Sequence, residues 1–473
     1  MKPVVSLRTA AWYGDRDIHL EVPANWEVNV VSPKALPPLD EREIISKLEH
    51  PAGQVSFGLM CKGKSRPVVI VDDLNRPTPT ARIMPILLQH FRKAGIPDQN
   101  ITVVMATGAH GRPSPEAMSK KIGEEAALRC RLFIHDCFRN VKRIGRTTFG
   151  TPVFVNQNIL ESDLVVGVGG IYPNHTAGFG GGSKLILGVL GIRTIYYLHF
   201  RHLPVGWGAD IAANPFRQEL DEIAAMIGMN TVISLIVDPD RRIIQMYCGD
   251  QRKYFQQAVE FYRRVYCTGP SPEADVIIAN TYPHDLSLTM ARMKGFVPLN
   301  SNSATASKIV IASCSEGPGL HHIFPFVNKP SHHRVQHMLR RLSVLSIDEL
   351  SAKAGRSLRR RLFNRVRETP ISGDAPKNNS QRRNNPIWLY RPGRQAERLP
   401  SSAPGIRLSS DWSEIVEAVQ REQAGRDRLR VVVYPCSPLQ LVRTGVTDDG
   451  VYKVDAGEPL EIHGPLNAPR VFL

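Results

Sequence analysis

Three runs of apolar, β-branched residues most constrain the fold of this chain. PVVIVDD (67–73), ITVVM (101–105) and DLVVGVG (163–169) have the continuous apolar pattern of buried strands. Between the first two, ARIMPILLQHFRKAG has apolar residues at helical spacing, with Thr80 as its expected N-cap and Gly95 as its end. Strand, helix and strand in this order predict a parallel pair joined by a right-handed crossover.

Polar residues follow these strands at the edge where parallel sheets collect their ligands. Asp73 and Arg76 come directly after the first strand, and His110 follows the second. Each of these residues taken alone is more often structural, since Asp-x-x-Arg-Pro is a common turn and a single histidine after a strand is usually part of the packing. Their joint placement at one predicted edge makes them candidate functional residues.

The third strand runs into a glycine-rich stretch that ends in a lysine, GVGGIYPNHTAGFGGGSK, and continues to His202. Glycines let a backbone approach a ligand closely, and Lys184 then offers a primary amine. A phosphate-binding P-loop is excluded, because Ser183 precedes the lysine and Leu185 follows it. The stretch is therefore either a ligand-binding loop of another kind or a turn with histidines at its surface.

The remaining chain predicts an α/β protein with mainly parallel sheets. A break near 268–272 suggests two domains, an N-terminal α/β domain over 1–267 and a C-terminal α/β domain over 268–473 with a basic insertion at about 331–400. Strands are predicted at 18–22, 26–31, 231–237, 275–280, 308–313 and 429–435, and helices at 41–49, 214–228 and 251–265.

The net charge of +16 belongs largely to the insertion, since residues 331–400 hold 16 Lys and Arg but 5 Asp and Glu. A basic amphipathic helix is expected at 356–368 and a disordered linker at 371–386. The concentration of charge in one segment argues against a nucleic-acid-binding fold, and a solvated insertion is the expected outcome. Seven cysteines without a CxxC, and no apolar run of signal-peptide or membrane-span type, indicate a reduced, cytoplasmic protein without a membrane partner.

Taken together, the motifs resemble those of the LarA-type lactate racemases. The likeness covers most of the chain, fades in 265–300 and is lost across 331–400. It is carried by YGDRDIHLEVP, VDDLNRPTPTARI, MATGAHGRPSPEAM, LFIHDC, TFGTPVFVN and AGFGGGSK.

The resemblance implies an active site in the cleft between the two domains and a nickel-pincer nucleotide as cofactor. That cofactor is a pyridinium-3,5-bisthiocarboxylate mononucleotide whose sulfur atoms hold nickel. By resemblance, Lys184 tethers it and His199 is a nickel ligand, a combination of sulfur and imidazole donors that suits this metal. The adjoining residues of the tether loop and the strand-end motif are expected to help bind it: Gly181, Gly182, Ser183, Asp73 and Arg76.

The implied reaction inverts the hydroxyl-bearing carbon of a small 2-hydroxy acid. Arg76 matches the residue that holds the substrate carboxylate, and His110 matches a catalytic histidine. One histidine takes the hydroxyl proton while hydride leaves the carbon for the cofactor, and both return on the other face. Two acid/base groups are therefore needed, and histidine has a suitable pKa.

In the family, the second catalytic histidine follows a proline, and this chain departs from the family at that position. Asn174 occupies that position, and His175 comes one residue later. Asn174 cannot act as a base, and His175 could replace the missing histidine only if the backbone shifted, because adjacent side chains of an extended segment point to opposite sides.

The second domain also departs from the family pattern. Thr289 and Met290 stand at the family's Tyr-Gln pair, and Met293 lies near its substrate-binding lysine, with Arg292 and Lys294 out of register. These basic residues and the pair His321-His322 could accept a larger or more anionic acid than lactate, and the histidine pair is equally compatible with a solvated loop.

Three functions remain open from the sequence. The first is a racemase or epimerase of a 2-hydroxy acid, which would depend on cofactor-synthesis enzymes as partners. The second is a one-way 2-hydroxy acid oxidoreductase with the same cofactor, and the third is a nucleotide-binding protein without turnover. The sequence does not indicate an oligomeric state.

Overall fold

The computed structural model describes residues 3–446, apart from 203, 270–272, 300–304, 324–385, 394–398, 400–401 and 404, together with 452–454. The basic helix predicted at 356–368 lies outside these residues, as does all but the last residue of the predicted linker. No helix in the described ranges combines the length and the apolar character needed to cross a membrane.

The described chain alternates strands with helices, as the sequence predicts. The strands are β1 (Val4–Thr9), β2 (Arg16–Glu21), β3 (Trp26–Val30), β4 (Pro67–Asp72), β5 (Thr102–Ala106), β6 (Arg131–Ile134), β7 (Val141–Arg146), β8 (Pro152–Asn156), β9 (Leu164–Gly170), β10 (Pro173–Asn174), β11 (Gly178–Phe179), β12 (Met229–Val237), β13 (Ile243–Gly249), β14 (Cys267–Thr268), β15 (Val276–Asn280), β16 (Ser307–Ile311), β17 (Ile387–Tyr390), β18 (Ser402–Ala403), β19 (Ile406–Ser409), β20 (Leu429–Tyr434), β21 (Leu441–Val446) and β22 (Tyr452–Val454).

The described chain also contains α-helices between these strands. They are α1 (Glu41–Glu49), α2 (Phe57–Cys61), α3 (Met84–Lys93), α4 (Glu116–Ile122), α5 (Glu124–Arg129), α6 (Gln157–Leu160), α7 (Ile192–Arg201), α8 (Pro215–Met226), α9 (Gln251–Tyr266), α10 (Leu288–Met290) and α11 (Trp412–Glu422). A 3₁₀ segment at Gly182–Val189 and a π-helix at Ala291–Gly295 lie in the part of the chain that forms the candidate site.

The first large sheet has six strands in the order β13-β12-β9-β4-β5-β6. All neighbours are parallel except β12 and β13. The predicted parallel pairing of the strands at 67–73 and 101–105 is therefore confirmed, and the strand at 163–169 lies on the other side of β4.

Both faces of this sheet are covered. From β4, Val69 and Val71 pack into one cluster with Phe91 of α3, while Val68 and Ile70 pack into another with Leu220 of α8. This alternation explains why the strand is apolar at every position, since neither face meets water.

The second large sheet has seven strands in the order β18-β19-β17-β16-β15-β20-β3, parallel except for β18 and β19. The α/β class with mainly parallel sheets is thus confirmed. Edge strand β3 comes from the first 30 residues and pairs with β20. The division at 267–268 remains a prediction, and this pairing places β3 in the sheet built mainly from the C-terminal part.

The expected N-cap at Thr80 is wrong. Residues Thr80–Arg82 form a 3₁₀ turn, and α3 begins only at Met84, with Ile83 at its N-cap position and no side-chain cap. Pro85 is the second residue of this helix, where its missing N–H removes no hydrogen bond, because the first N–H groups of a helix have no partner within it.

Gly188 allows the 3₁₀ segment to lie against the end of β5, where its carbonyl accepts a hydrogen bond of 2.9 Å from the Gly108 N–H. A Cβ on Gly188 would lie 2.5 Å from Ala106 Cβ and 2.7 Å from the Ala106 carbonyl oxygen. Gly188→Ala should therefore lower the free energy of unfolding by about 1–3 kcal/mol in chemical denaturation. The control is Gly269→Ala, since a Cβ there would have no atom within 4 Å. Equal stability of the two variants would show that this close approach is not a constraint.

Candidate active site

The ends of β4 and β5 place an acid–histidine pair side by side. Asp73 follows β4, and its Oδ2 lies 2.6 Å from Nδ1 of His110, which follows β5. Asn75 Nδ2 donates to the same Oδ2 at 2.9 Å. The structure thus brings together two residues that the sequence placed at one sheet edge.

The charges of this pair are set by burial and by each other. Burial raises the pKa of Asp73, but the charge and hydrogen bond of His110 and the charge of Arg76 outweigh it and lower that pKa to about 2. Burial lowers the pKa of His110, against the opposing effect of the Asp73 carboxylate. A neutral His110 that donates Nδ1–H to Asp73 carries its lone pair on Nε2, which is the form a general base requires.

The adjacent Asp72 has a structural role. Its Oδ2 accepts hydrogen bonds from Thr78 Oγ1 at 2.5 Å and from the Gly170 N–H at 3.1 Å, and its Oδ1 lies 2.5 Å from Lys121 Nζ. Asp72 therefore ties the end of β4 to the end of β9, where the glycine-rich stretch begins. Of the two consecutive aspartates, Asp73 is the one that contacts the candidate catalytic histidine.

Arg217 of α8 holds the glycine-rich loop by hydrogen bonds to its carbonyl groups. Its guanidinium donates to the carbonyls of Ala177 at 3.5 Å and Gly181 at 3.4 Å, and also to the carbonyl of Phe179. Gly181 has a φ of +81°, and a Cβ there would lie 2.9 Å from the Gly170 carbonyl oxygen. Arg217 was not predicted, because one arginine on an amphipathic helix gives no sequence signal.

Lys184 lies in the 3₁₀ segment that follows this loop. Its amine forms no hydrogen bond or ion pair with any described residue. Burial lowers the pKa of the amine to about 7, and the positive charges of Arg76 and Arg217 act in the same direction. A substantial fraction of the amine is therefore neutral near neutral pH and can act as a nucleophile.

The neighbouring candidates Gly181, Gly182 and Ser183 are all buried. A Cβ on Gly182 would lie 2.9 Å from Phe255, and Ser183 has no exposed surface. These three residues shape the backbone on which Lys184 is presented.

His199 of α7 lies within electrostatic reach of Lys184. Its Nδ1 is 2.8 Å from the Ile195 carbonyl oxygen, so it acts as the donor there and the lone pair is on Nε2. Burial lowers the pKa of His199 to about 4, and the charge of Lys184 contributes to this shift. Within the described ranges, no group of three or more His, Cys, Asp and Glu side chains is arranged to hold a metal.

Arg76 and Lys294 lie around the ring of Tyr172. The Arg76 Cζ is 5.2 Å and the Lys294 Nζ 6.0 Å from the ring centroid. The sequence placed Lys294 out of register, but the π-helix at Ala291–Gly295 widens the helical turn here. Burial lowers the pKa of Lys294, and so do the charges of Arg76 and Lys184, which places all three cations near one another.

Asn174 and His175 have different surroundings. Asn174 Oδ1 accepts hydrogen bonds from the Thr176 and Ala177 N–H groups at 3.0 and 2.9 Å, so the side chain closes the β10–β11 turn. The ring of His175 lies 4.8 Å from that of Trp207, and burial and the Lys294 charge lower its pKa to about 3.

The pair His321-His322 packs against the strand end that carries His110. His110 and His321 form an isolated backbone bridge, their ring centroids are 5.3 Å apart, and the His322 N–H donates to the Ala109 carbonyl at 2.7 Å. Since His321 is only 7% exposed, the alternative of a solvated loop does not apply to it.

Comparison with known proteins places these residues in a family. Residues 13–208 match the model of the lactate racemase N-terminal domain, a range that includes Asp73, Arg76, His110, Lys184 and His199. The chain is 27% identical over 291 residues to a lactate racemase of Thermoanaerobacterium thermosaccharolyticum, covering 59% of this chain and 68% of that protein. It is 26% identical over 305 residues to a lactate racemase of Lactiplantibacillus plantarum, covering 62% and 71%.

The fold agrees with that assignment. The structure of the lactate racemase apoprotein from Thermoanaerobacterium thermosaccharolyticum superposes with a TM-score of 0.64 at 20% sequence identity, covering 93% of this chain and 100% of that one. The matched domain and the two relatives, which are named for an isomerase activity, support a LarA-like member of the lactate racemase family.

Proposed function

We propose that this chain is a racemase or epimerase of a 2-hydroxy acid, working with a nickel-pincer nucleotide tethered to Lys184. The observation that carries this proposal is the Lys184 amine itself, which lies on the glycine-rich loop of the matched domain without an ion pair to a described residue. An amine whose pKa is lowered is partly neutral near neutral pH, which suits covalent attachment.

The surrounding donors fit such a cofactor. Lys184 would form the tether, His199 would offer Nε2 to nickel, and Gly181, Gly182 and Ser183 would line the attachment point. An imidazole combined with sulfur donors is a suitable ligand set for nickel. When bound, the nucleotide would supply the acceptor and donor of a hydride.

The protein groups would bind the acid and move its proton. Arg76 is placed to hold the substrate carboxylate by a bidentate contact. His110 Nε2 would take the hydroxyl proton, and the ionised Asp73 at its Nδ1 would stabilise the imidazolium that forms. A planar keto acid would then stay bound at Arg76 until hydride and proton return on the opposite face.

The buried lysine Lys294 helps to indicate which 2-hydroxy acid is the substrate. Lys294 lies near Arg76 at the Tyr172 ring and makes no hydrogen bond or ion pair with a described residue. Burial lowers the pKa of Lys294, so a ligand with negative charge would stabilise its protonated form. We therefore propose a 2-hydroxy acid that carries a second anionic or polar group.

The site draws on segments that follow strands of both large sheets, with His110 after β5 and Lys294 after β15. This supports an active site in the cleft between the two proposed domains. The one-way oxidoreductase remains the second candidate, because Asn174, at the position of the family's second base, cannot accept a proton and its Oδ1 is engaged in a turn.

A racemisation assay tests the proposal. Protein co-expressed with the cofactor-synthesis enzymes is incubated in D₂O with single enantiomers of 2-hydroxy acids that differ in charge. The racemase should convert either enantiomer of at least one acid to a mixture, with the C2 hydrogen retained because it returns as hydride. Net accumulation of a 2-keto acid would identify the oxidoreductase. If protein that carries nickel and a modified Lys184 converts none of the acids, both the racemase and the oxidoreductase proposals are overturned.

The Asp73–His110 pair predicts a specific loss. Asp73→Asn removes the charge that stabilises the His110 imidazolium and should lower the racemisation rate by about 10²–10⁴-fold. The control is Asp240→Asn, which alters an exposed ion pair with Arg8 and should leave the rate unchanged. Equal rates for the two variants would exclude a role for the pair in proton transfer.

The Lys184 amine predicts an unusual pH dependence of chemical modification. Acetylation of the cofactor-free protein, followed by peptide mass spectrometry, should show modification of Lys184 rising with pH around a midpoint near 7, because the amine loses its proton there. Arg76→Gln removes a positive charge and should move the midpoint upward. The exposed Lys62 is followed in the same samples as a control. A Lys184 midpoint at the ordinary lysine value of about 10.4 would contradict the assigned environment.

A further inference from the structure

His284 follows β15 of the second large sheet and has no exposed surface. Neither of its ring nitrogens has a hydrogen-bond partner in the described part of the chain. Buried polar groups in proteins are nearly always paired, so an exception needs an explanation such as a ligand or a catalytic role.

Two polar side chains near His284 in the sequence, those of Asn280 and Asp285, are engaged with other parts of the chain. Asn280 Nδ2 donates to the carbonyls of Arg8 and Pro435, both at 2.8 Å. Asp285 accepts hydrogen bonds from Thr9 Oγ1 and from the N–H groups of Ala10 and Ala11 at 2.8–3.1 Å. The loop therefore holds His284 in a fixed position while its ring nitrogens remain available.

His284 lies against the same tyrosine as the two substrate-facing cations. Its ring centroid is 5.5 Å from that of Tyr172, around which Arg76 and Lys294 also lie. Burial lowers the pKa of His284 far below the usual value, and the charges of Arg76, Lys294 and Lys121 add to this effect. The imidazole is therefore neutral, and a bound carboxylate at Arg76 would offset the cations and make it more basic.

We propose that His284 is the second acid/base group of this enzyme, serving in place of the histidine that Asn174 replaces. This inference rests on the proposed racemase function. His110 follows β5 and His284 follows β15, so the two imidazoles come from different sheets, and both are influenced by the charge of Arg76. His321 is placed less well for this role, because it packs beside His110.

His175 is the other candidate for the second group. Its ring packs on Trp207, and Lys294 is the charged group that acts on it, whereas Arg76 acts on His284. The substrate carboxylate at Arg76 would therefore lie closer to the environment of His284.

From one enantiomer, the His284 imidazole would take the hydroxyl proton as the C–O bond becomes C=O, with the bound nucleotide supplying the hydride acceptor and donor. A His110 that starts this direction protonated, paired with Asp73, would give a proton to the oxygen, and exchange with solvent would then remove the proton from His284 and restore the one on His110. Starting from the other enantiomer, the two histidines exchange these roles.

A single-turnover experiment tests this assignment. Cofactor-loaded enzyme in excess is mixed with one pure enantiomer, quenched with acid and analysed for 2-keto acid. His284→Gln should lose at least about 10²-fold in the rate of keto acid formation from one enantiomer and keep it for the other. His110→Gln should show the opposite preference, and the exposed His50→Gln should resemble the wild type.

Several outcomes would overturn the inference. Equal loss from both enantiomers in His284→Gln would indicate a structural role, and a one-sided loss in His175→Gln instead would assign the second base to His175. If His284→Gln racemises as fast as the wild type, His284 is not a base although the proposed function stands. A wild type that racemises no acid in the panel would instead refute the proposed function.

Thermal unfolding of the cofactor-free protein gives an independent measurement. Because His284 is buried without a hydrogen-bond partner, His284→Leu should melt at or above the temperature of the wild type. If His284 had a structural role, His284→Leu would melt at a lower temperature than the wild type. A marked fall in the melting temperature would therefore overturn the inference.

Discussion

The candidate site depends on three basic side chains, Arg76, Lys184 and Lys294, that lie in a largely buried region. Arg76, Lys184 and Lys294 influence one another electrostatically, and of the three only Arg76 is also coupled to a carboxylate, that of Asp73. The nearby carboxylates are already engaged, Asp72 with Lys121 and Asp73 with His110. Burial disfavours the charged form of these groups unless a ligand supplies the opposite charge, and this supports the proposal of an anionic substrate. This arrangement accounts for both the reactive amine and the expected substrate class.

The fold maintains this arrangement through adjacent strand ends. Strands β9, β4 and β5 are neighbours in one parallel sheet, so the glycine-rich loop, Asp73 and His110 meet at one edge. Arg217 fixes the loop by its carbonyls, and the backbone bridge between His110 and His321 connects this edge to the segment that follows β16. Catalysis by positioned groups requires such preorganisation, because small displacements of an acid/base group reduce the rate strongly.

Sequence patterns predicted the parts of the fold that depend on local burial. The bounds of α1 were predicted without error, and β4, β5, β9 and β20 were placed within one residue or two, because strands buried on both faces are apolar throughout. The same patterns placed Asp73 and His110 at one edge. They gave no indication of the π-helix that contains Lys294, because such a helix has no marker in the sequence. They also missed Arg217 and His284. Arg217 matters because it binds the carbonyls of the glycine-rich loop, and His284 because its buried ring nitrogens have no hydrogen-bond partner among the described residues.

The central claim is that Lys184 carries a nickel-bearing nucleotide, and mass spectrometry of the loaded protein tests it most directly. Protein co-expressed with the cofactor-synthesis enzymes should gain the mass of the nucleotide on the peptide that contains Lys184, together with about one nickel per chain, as expected for one tether and one metal site. Lys184→Ala should lose the added mass, and His199→Ala should keep the modified lysine but lose nickel on dialysis. An unmodified Lys184 peptide in protein that racemises a 2-hydroxy acid, or nickel bound equally well without Lys184, would contradict the account.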